Sequence, residues 1–79
     1  MSRDELTKRQ HNILTWIADY DRVHDEAPTL REIGDHFDVT KQTARKHVRV
    51  LDRKGWVHRT AQKERAIDVL ATPEEQPDP

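Results

Sequence analysis

The sequence has no cysteine, which excludes disulfides, cysteine-ligated zinc and thiol chemistry. It has only two glycines, too few for a glycine-rich phosphate loop, and its one serine, Ser2, has no hydrolase context. No apolar run approaches the ~20 residues needed to cross a bilayer. No short apolar stretch near the N-terminus reads as a signal peptide. The expectation is a soluble, cytoplasmic chain with no membrane partner. Seventy-nine residues make one domain at most, and with 33% hydrophobic against 37% charged residues its core must be small and its surface salty.

Charge is plentiful but unevenly spread. The net charge is −1, yet residues 1–40 carry 5 basic and 9 acidic side chains, residues 41–65 carry 9 basic and 2 acidic, and residues 66–79 carry 4 acidic and none basic. The middle segment is therefore +7 between two flanks of −4. Such a block is the electrostatic footprint of a polyanion partner, hidden by the overall balance.

Three helices are signalled before and within that block. Thr7-x-x-Gln10 is a capping-box pattern, and Ile13, Leu14, Trp16, Ile17, Ala18 and Tyr20 then recur at helical spacing, predicting a helix that ends near Arg22 or Val23. The polar stretch His24–Pro28 reads as a loop. Thr29-x-x-Glu32 is a second capping box before Leu30, Ile33 and Phe37, which fall within roughly 60° on a helical wheel and predict a short helix over 30–37. Gly34 inside it costs about 1 kcal/mol relative to Ala, which points to the close approach of another helix. Thr40 caps a third helix over 41–54, with Ala44, Val48 and Leu51 inward and Gly55 at the C-terminal stop. Two short helices joined by Asp38-Val39-Thr40 form a helix-turn-helix pattern.

Beyond Gly55 the chain reads as extended. Trp56–Thr60 and Arg65–Leu70 are strand candidates around the polar loop Ala61–Glu64, a β-hairpin. The fold class is thus mainly α with a small β-hairpin: a winged helix-turn-helix of three helices plus a wing. Residues 1–71 form the DNA-binding domain, and 72–79, with three prolines and three acids, form a disordered acidic tail.

The third helix carries the chemistry. With Ala44, Val48 and Leu51 inward, Gln42, Lys46, Arg49 and Arg53 lie on the opposite face and Arg45 beside them. A helix fits the major groove, where Arg and Lys bond guanine O6 and N7 and Gln pairs with adenine N6 and N7. Gln42, Thr43, Arg45 and Lys46 are the base-contact candidates. Thr40, Lys41, Arg49 and Arg53 on the same helix are backbone-contact candidates. So are Arg59, Lys63 and Arg65 on the wing, and Thr29 and Arg31 at the second helix's N-terminus, where free N–H groups and the dipole favour phosphate. The plain alternative for each is a solvated charge, weaker for the third helix because almost no acid balances it.

Other constellations are poor. His36, His47 and His58 are spaced eleven apart and fall on different elements, and no His-x-x-x-His pair exists. No metal, no cofactor and no catalytic activity is expected. Asp19 with Asp21 and Asp35 with Asp38 read as solvated. Trp16 and Tyr20 could form a dimer patch but fit simple core, and Trp56 fits a position closing the core where the wing begins.

Leu6-Thr7-Lys8-Arg9-Gln10 with Ile13-Leu14, Ala27-Pro28-Thr29-Leu30-Arg31-Glu32-Ile33-Gly34, Leu51-Asp52-Arg53-Lys54-Gly55 and Arg65-Ala66-Ile67 together resemble the LexA repressor N-terminal DNA-binding domain family. The resemblance spans about residues 6–70 and implies a winged helix-turn-helix that binds operator DNA through its third helix. The sequence departs from that pattern at Phe37-Asp38, where Leu-Gly is common, and is one residue shorter than many members between there and Leu51. The family's protease domain, with its serine–lysine pair, has no counterpart in these residues. The expected function is a sequence-specific, double-stranded-DNA-binding transcriptional regulator acting as a repressor, since occupying an operator suffices. An accessory protein of plasmid or phage replication and a protein-interaction module using the wing or the Trp16 face are the alternatives, the latter disfavoured by the basic helix. No heptad pattern is present, so a monomer is expected that pairs as a homodimer on a two-fold operator through weak contacts.

Overall fold

The computed structural model describes residues 5–59 and 67–72. Three helices, α1 (Lys8–His24), α2 (Leu30–Phe37) and α3 (Lys41–Arg53), are followed by strands β1 (Val57–Arg59) and β2 (Ile67–Val69). The strands pair antiparallel with Val57 opposite Val69, His58 opposite Asp68 and Arg59 opposite Ile67. The architecture is the winged helix-turn-helix that the sequence predicts. Lys63 and Arg65, the rest of the hairpin loop and the tail from residue 73 onward lie outside the described residues.

Each helix starts where local chemistry dictates. The Thr7 and Thr29 hydroxyls accept the N–H groups of Gln10 and Glu32 at 3.2 and 3.1 Å, and the Gln10 and Glu32 side chains accept the Thr7 and Thr29 N–H groups in return. Thr40 accepts the Thr43 N–H at 3.1 Å, without a reciprocal partner.

The ends depart from the sequence reading in small, explicable ways. α1 runs to His24, one turn after Tyr20, and the two rings pack at 4.1 Å before Asp25 turns left-handed at φ 57°. α3 ends at Arg53 rather than 54, because Lys54 and Gly55 belong to its closing turn. Gly55, at φ 87°, donates to the Asp52 carbonyl at 3.0 Å and Trp56 to that of Leu51 at 2.9 Å, the paired bonds of a Schellman motif. That use of the Trp56 N–H is why the first strand begins at Val57 rather than at Trp56.

The core is a single cluster. Ile13, Leu14 and Ile17 of α1, Ile33 of α2, and Ala44, Val48 and Leu51 of α3 are all 0% exposed. Trp56, Val57 and Ile67 close it from the hairpin side. Full burial of each large aliphatic contributes roughly 1.5–3 kcal/mol. Trp16 is only partly buried and stacks on His36 at 4.5 Å, with Phe37 edge-on at 5.9 Å. Thr72, assigned by composition to the tail, is 9% exposed and packs at the domain's edge.

Gly34 is required for a reason other than the predicted one. A Cβ built there meets the Val39 carbonyl oxygen at 2.7 Å, so the close neighbour is the backbone of the α2–α3 turn and not another helix. The turn folds tightly because the Gly34 carbonyl accepts the N–H groups of both Asp38 and Val39. Asp38 takes the left-handed conformation at φ 58°, which an aspartate tolerates better than most residues.

Candidate nucleic-acid interface

α3 sorts its side chains by charge as well as by polarity. Ala44, Val48 and Leu51 are buried, while Lys41, Gln42, Arg45, Lys46, Arg49 and Arg53 are exposed. At 100° per residue, Gln42, Lys46, Arg49 and Arg53 form one row opposite the core, with Arg45 on its flank. Thr43 is half-buried on the other flank. Its hydroxyl accepts from the Thr40 hydroxyl at 3.0 Å, so the two cap residues hold each other in one arrangement and leave the Thr43 hydroxyl proton to donate elsewhere.

α3 has the dimensions and donors of a major-groove reader. Its cations make no salt bridge among the described residues, whereas on α1 Arg22 pairs with Asp19 at 2.9 Å. Exposed guanidinium and ammonium groups with no acid on them among the described residues are available to phosphate oxygens and base edges.

The N-terminus of α2 is less open than its sequence suggests. Arg31 is exposed and Thr29 half-buried. However, the Thr29 and Glu32 N–H groups are taken by the capping box, and the Glu32 carboxylate also accepts from the Tyr20 hydroxyl at 3.1 Å. A carboxylate therefore already sits at this helix end, and Arg31 is the group free to reach a phosphate from it.

Arg59 stands half-buried on β1. His47 is half-buried on the α1 side of α3, where burial and then the Arg9 charge lower its pKa below the ordinary imidazole value. Among the described residues no group of three or more histidine or acidic side chains is arranged to hold a metal. Nor is any described helix long and apolar enough to cross a membrane.

Two polar residues matter that the sequence reading passed over. Lys54 donates to the Glu5 carbonyl at 2.7 Å and to Gln10 Oε1 at 2.8 Å, tying the end of α3 to the start of α1. Asp52 accepts from the Arg59 backbone N–H at 3.3 Å. The Lys54 clasp leaves no local trace, since its partners lie 44 and 49 residues away. Asp52 does leave one: it is the one acidic residue between Lys41 and Arg59.

Comparison with known proteins agrees with this geometry. The family model described as the LexA DNA binding domain matches residues 3–66. The LexA repressor of Leptospira biflexa is 36% identical over 66 residues, covering 84% of this chain and 33% of the relative. That of Thermosipho africanus is 36% identical over 70 residues, covering 89% and 35%. That of Mycolicibacterium gilvum is 42% identical over 72 residues, covering 89% and 31%. The chain thus spans about a third of the length of the curated relatives it matches.

Proposed function

The chain belongs to the LexA DNA-binding domain family, and from that premise we propose that it binds double-stranded DNA sequence-specifically as a transcriptional repressor. The observation that carries the reading is the exposed row Gln42, Lys46, Arg49 and Arg53 with Arg45 beside it, set rigidly over the buried row Ala44, Val48 and Leu51. In this reading Gln42, Thr43, Arg45 and Lys46, in the first turns of α3, meet base edges in the major groove. Thr40, Lys41, Arg49 and Arg53 meet phosphates beside it, Arg31 and Thr29 at the start of α2 meet them on one flank, and Arg59, Lys63 and Arg65 of the wing meet them on the other. Phosphate contacts fix the register, and base contacts supply the sequence preference.

Residues 1–71 are the DNA-binding unit. Two copies pair on a two-fold operator through weak contacts, which sedimentation of the free chain as a monomer at micromolar concentration would support and a tight DNA-free dimer would refute. The experiment for the function itself is selection of bound fragments from genomic DNA, followed by titration of the selected duplex against a scrambled one. A preference of about 10³-fold or more is expected of specific binding. Equal affinity for the two duplexes would reject sequence-specific repression.

A further inference from the structure

The basic stretch from Lys41 to Arg59 contains a single acid, Asp52, where a negative charge opposes the phosphates that the proposed DNA reading brings to this surface. The hairpin's hydrogen-bond register gives it a purpose. The Trp56 carbonyl accepts the Leu70 N–H at 2.9 Å, which makes His58 and Asp68 the next hydrogen-bonded pair. Val57 and Arg59, one residue out of phase, direct their backbone groups away from β2. The Arg59 N–H therefore lies on the edge of β1 away from β2, with no strand to receive it among the described residues. Asp52 Oδ2, from the last turn of α3, meets it at 3.3 Å.

We propose that Asp52 is a positioning residue for DNA binding: its carboxylate pins the open edge of the first wing strand to the recognition helix and so fixes the angle at which Arg59 reaches the phosphates. In this role Asp52 touches no DNA and acts through Arg59. The proposal rests on the DNA-binding reading, and it makes a prediction of opposite sign for two substitutions. Asp52→Asn keeps an oxygen acceptor and removes the opposing charge. Asp52→Ala removes both. Neither is expected to unfold the domain, since Asp52 is only half-buried and alanine suits a helix. Asp52→Ser, whose hydroxyl is shorter, provides a second variant that loses the contact.

The test has two arms. In the free protein, exchange of the Arg59 amide proton should be as slow in Asp52→Asn as in the parent, and faster in Asp52→Ala and Asp52→Ser. In titrations with duplex DNA, Asp52→Asn should bind as tightly as the parent or about twofold tighter, because one like charge is gone. Asp52→Ala should bind about eightfold more weakly at ~0.1 M salt on every duplex alike, with the salt slope reduced by about one, as for one lost phosphate contact. If all the variants tighten binding alike, Asp52 is only an opposing charge and the proposal is overturned. It is equally overturned if Asp52→Ala weakens binding while the Arg59 amide exchanges as in the parent. A parent that binds no duplex sinks the DNA reading and this role with it, whereas a parent that binds while its variants tighten sinks this role alone.

Discussion

α2 and α3 are two short helices started in the same way and used differently. Each opens on a threonine whose hydroxyl accepts the N–H three residues on, and each turns an apolar stripe inward. Their solvent faces diverge. That of α2 mixes Arg31, Asp35 and His36, and its first turn is tied to α1 through Glu32 and Tyr20. That of α3 carries Gln42, Arg45, Lys46, Arg49 and Arg53 with no acid among them. Capping and burial place a helix, and its outer face decides what it meets. In the proposed reading, α2 is the support and α3 the reader.

Breaking the shared inner stripe should have the largest effect and the same effect in both helices. Ile33→Ala and Leu51→Ala each empty a site that is 0% exposed, and each should cost about 2–5 kcal/mol in urea unfolding. In a domain this small that approaches the whole stability, so DNA binding would be lost with the fold. A loss under about 1 kcal/mol in either would mean that the stripe is not core.

The outer faces should then separate the helices, and positions within α3. Lys46→Ala is expected to remove about 1–3 kcal/mol of discrimination at particular operator positions. Arg49→Ala should weaken all duplexes alike and lower the salt slope by about one. Both should leave stability within about 0.5 kcal/mol of the parent, the usual range for surface changes. Titration of each variant against a matched set of operator sequences distinguishes the two roles. Arg49→Ala changing base preference while Lys46→Ala left it intact would reverse them.

Much of this division is legible in the sequence because it is local. The caps at Thr7, Thr29 and Thr40 and the stop at Gly55 depend on residues three or four positions away, and the two rows of α3 follow from helical spacing alone. What the sequence hides is tertiary. Gly34 announces a close contact, yet only the folded turn shows that the contact is the Val39 carbonyl. His36 reads as a polar surface residue and is exposed, but its stacking on the Trp16 ring has no trace in local spacing. Two of the three wing cations, Lys63 and Arg65, lie outside the described residues, so Arg59 is the wing candidate whose place is known.

Gly34 also gives the next smaller test. Gly34→Ala adds a Cβ that would sit 2.7 Å from the Val39 oxygen, backbone that cannot move aside cheaply. Steric cost of about 1–3 kcal/mol, offset by about 1 kcal/mol of helix propensity, leaves a net change between neutral and a loss of about 2 kcal/mol, where the exposed Asp35→Ala should be neutral or slightly stabilising. A Gly34→Ala protein more stable than the parent in thermal unfolding would show that the turn is looser than described.

The smallest expected effect belongs to His47. Burial, reinforced by Arg9, lowers its pKa in the folded chain below the ordinary 6.5, so the unfolded chain binds the proton more readily. Its contribution is intact above pH 6.5 and is lost progressively as pH falls from there to the lower folded value. Unfolding curves across that range should show a shallower acid-side decline for His47→Gln than for the parent. Identical declines would place the proton on another group.

DNA binding by this domain requires that the cations of α3 and the wing meet phosphates. Binding of the chain to a selected duplex, measured over a series of potassium chloride concentrations, tests this most directly. If about five to seven basic residues contact the backbone, the slope of log K against log[salt] should be roughly −5 to −6. A slope near zero, or no binding at low salt, would contradict it.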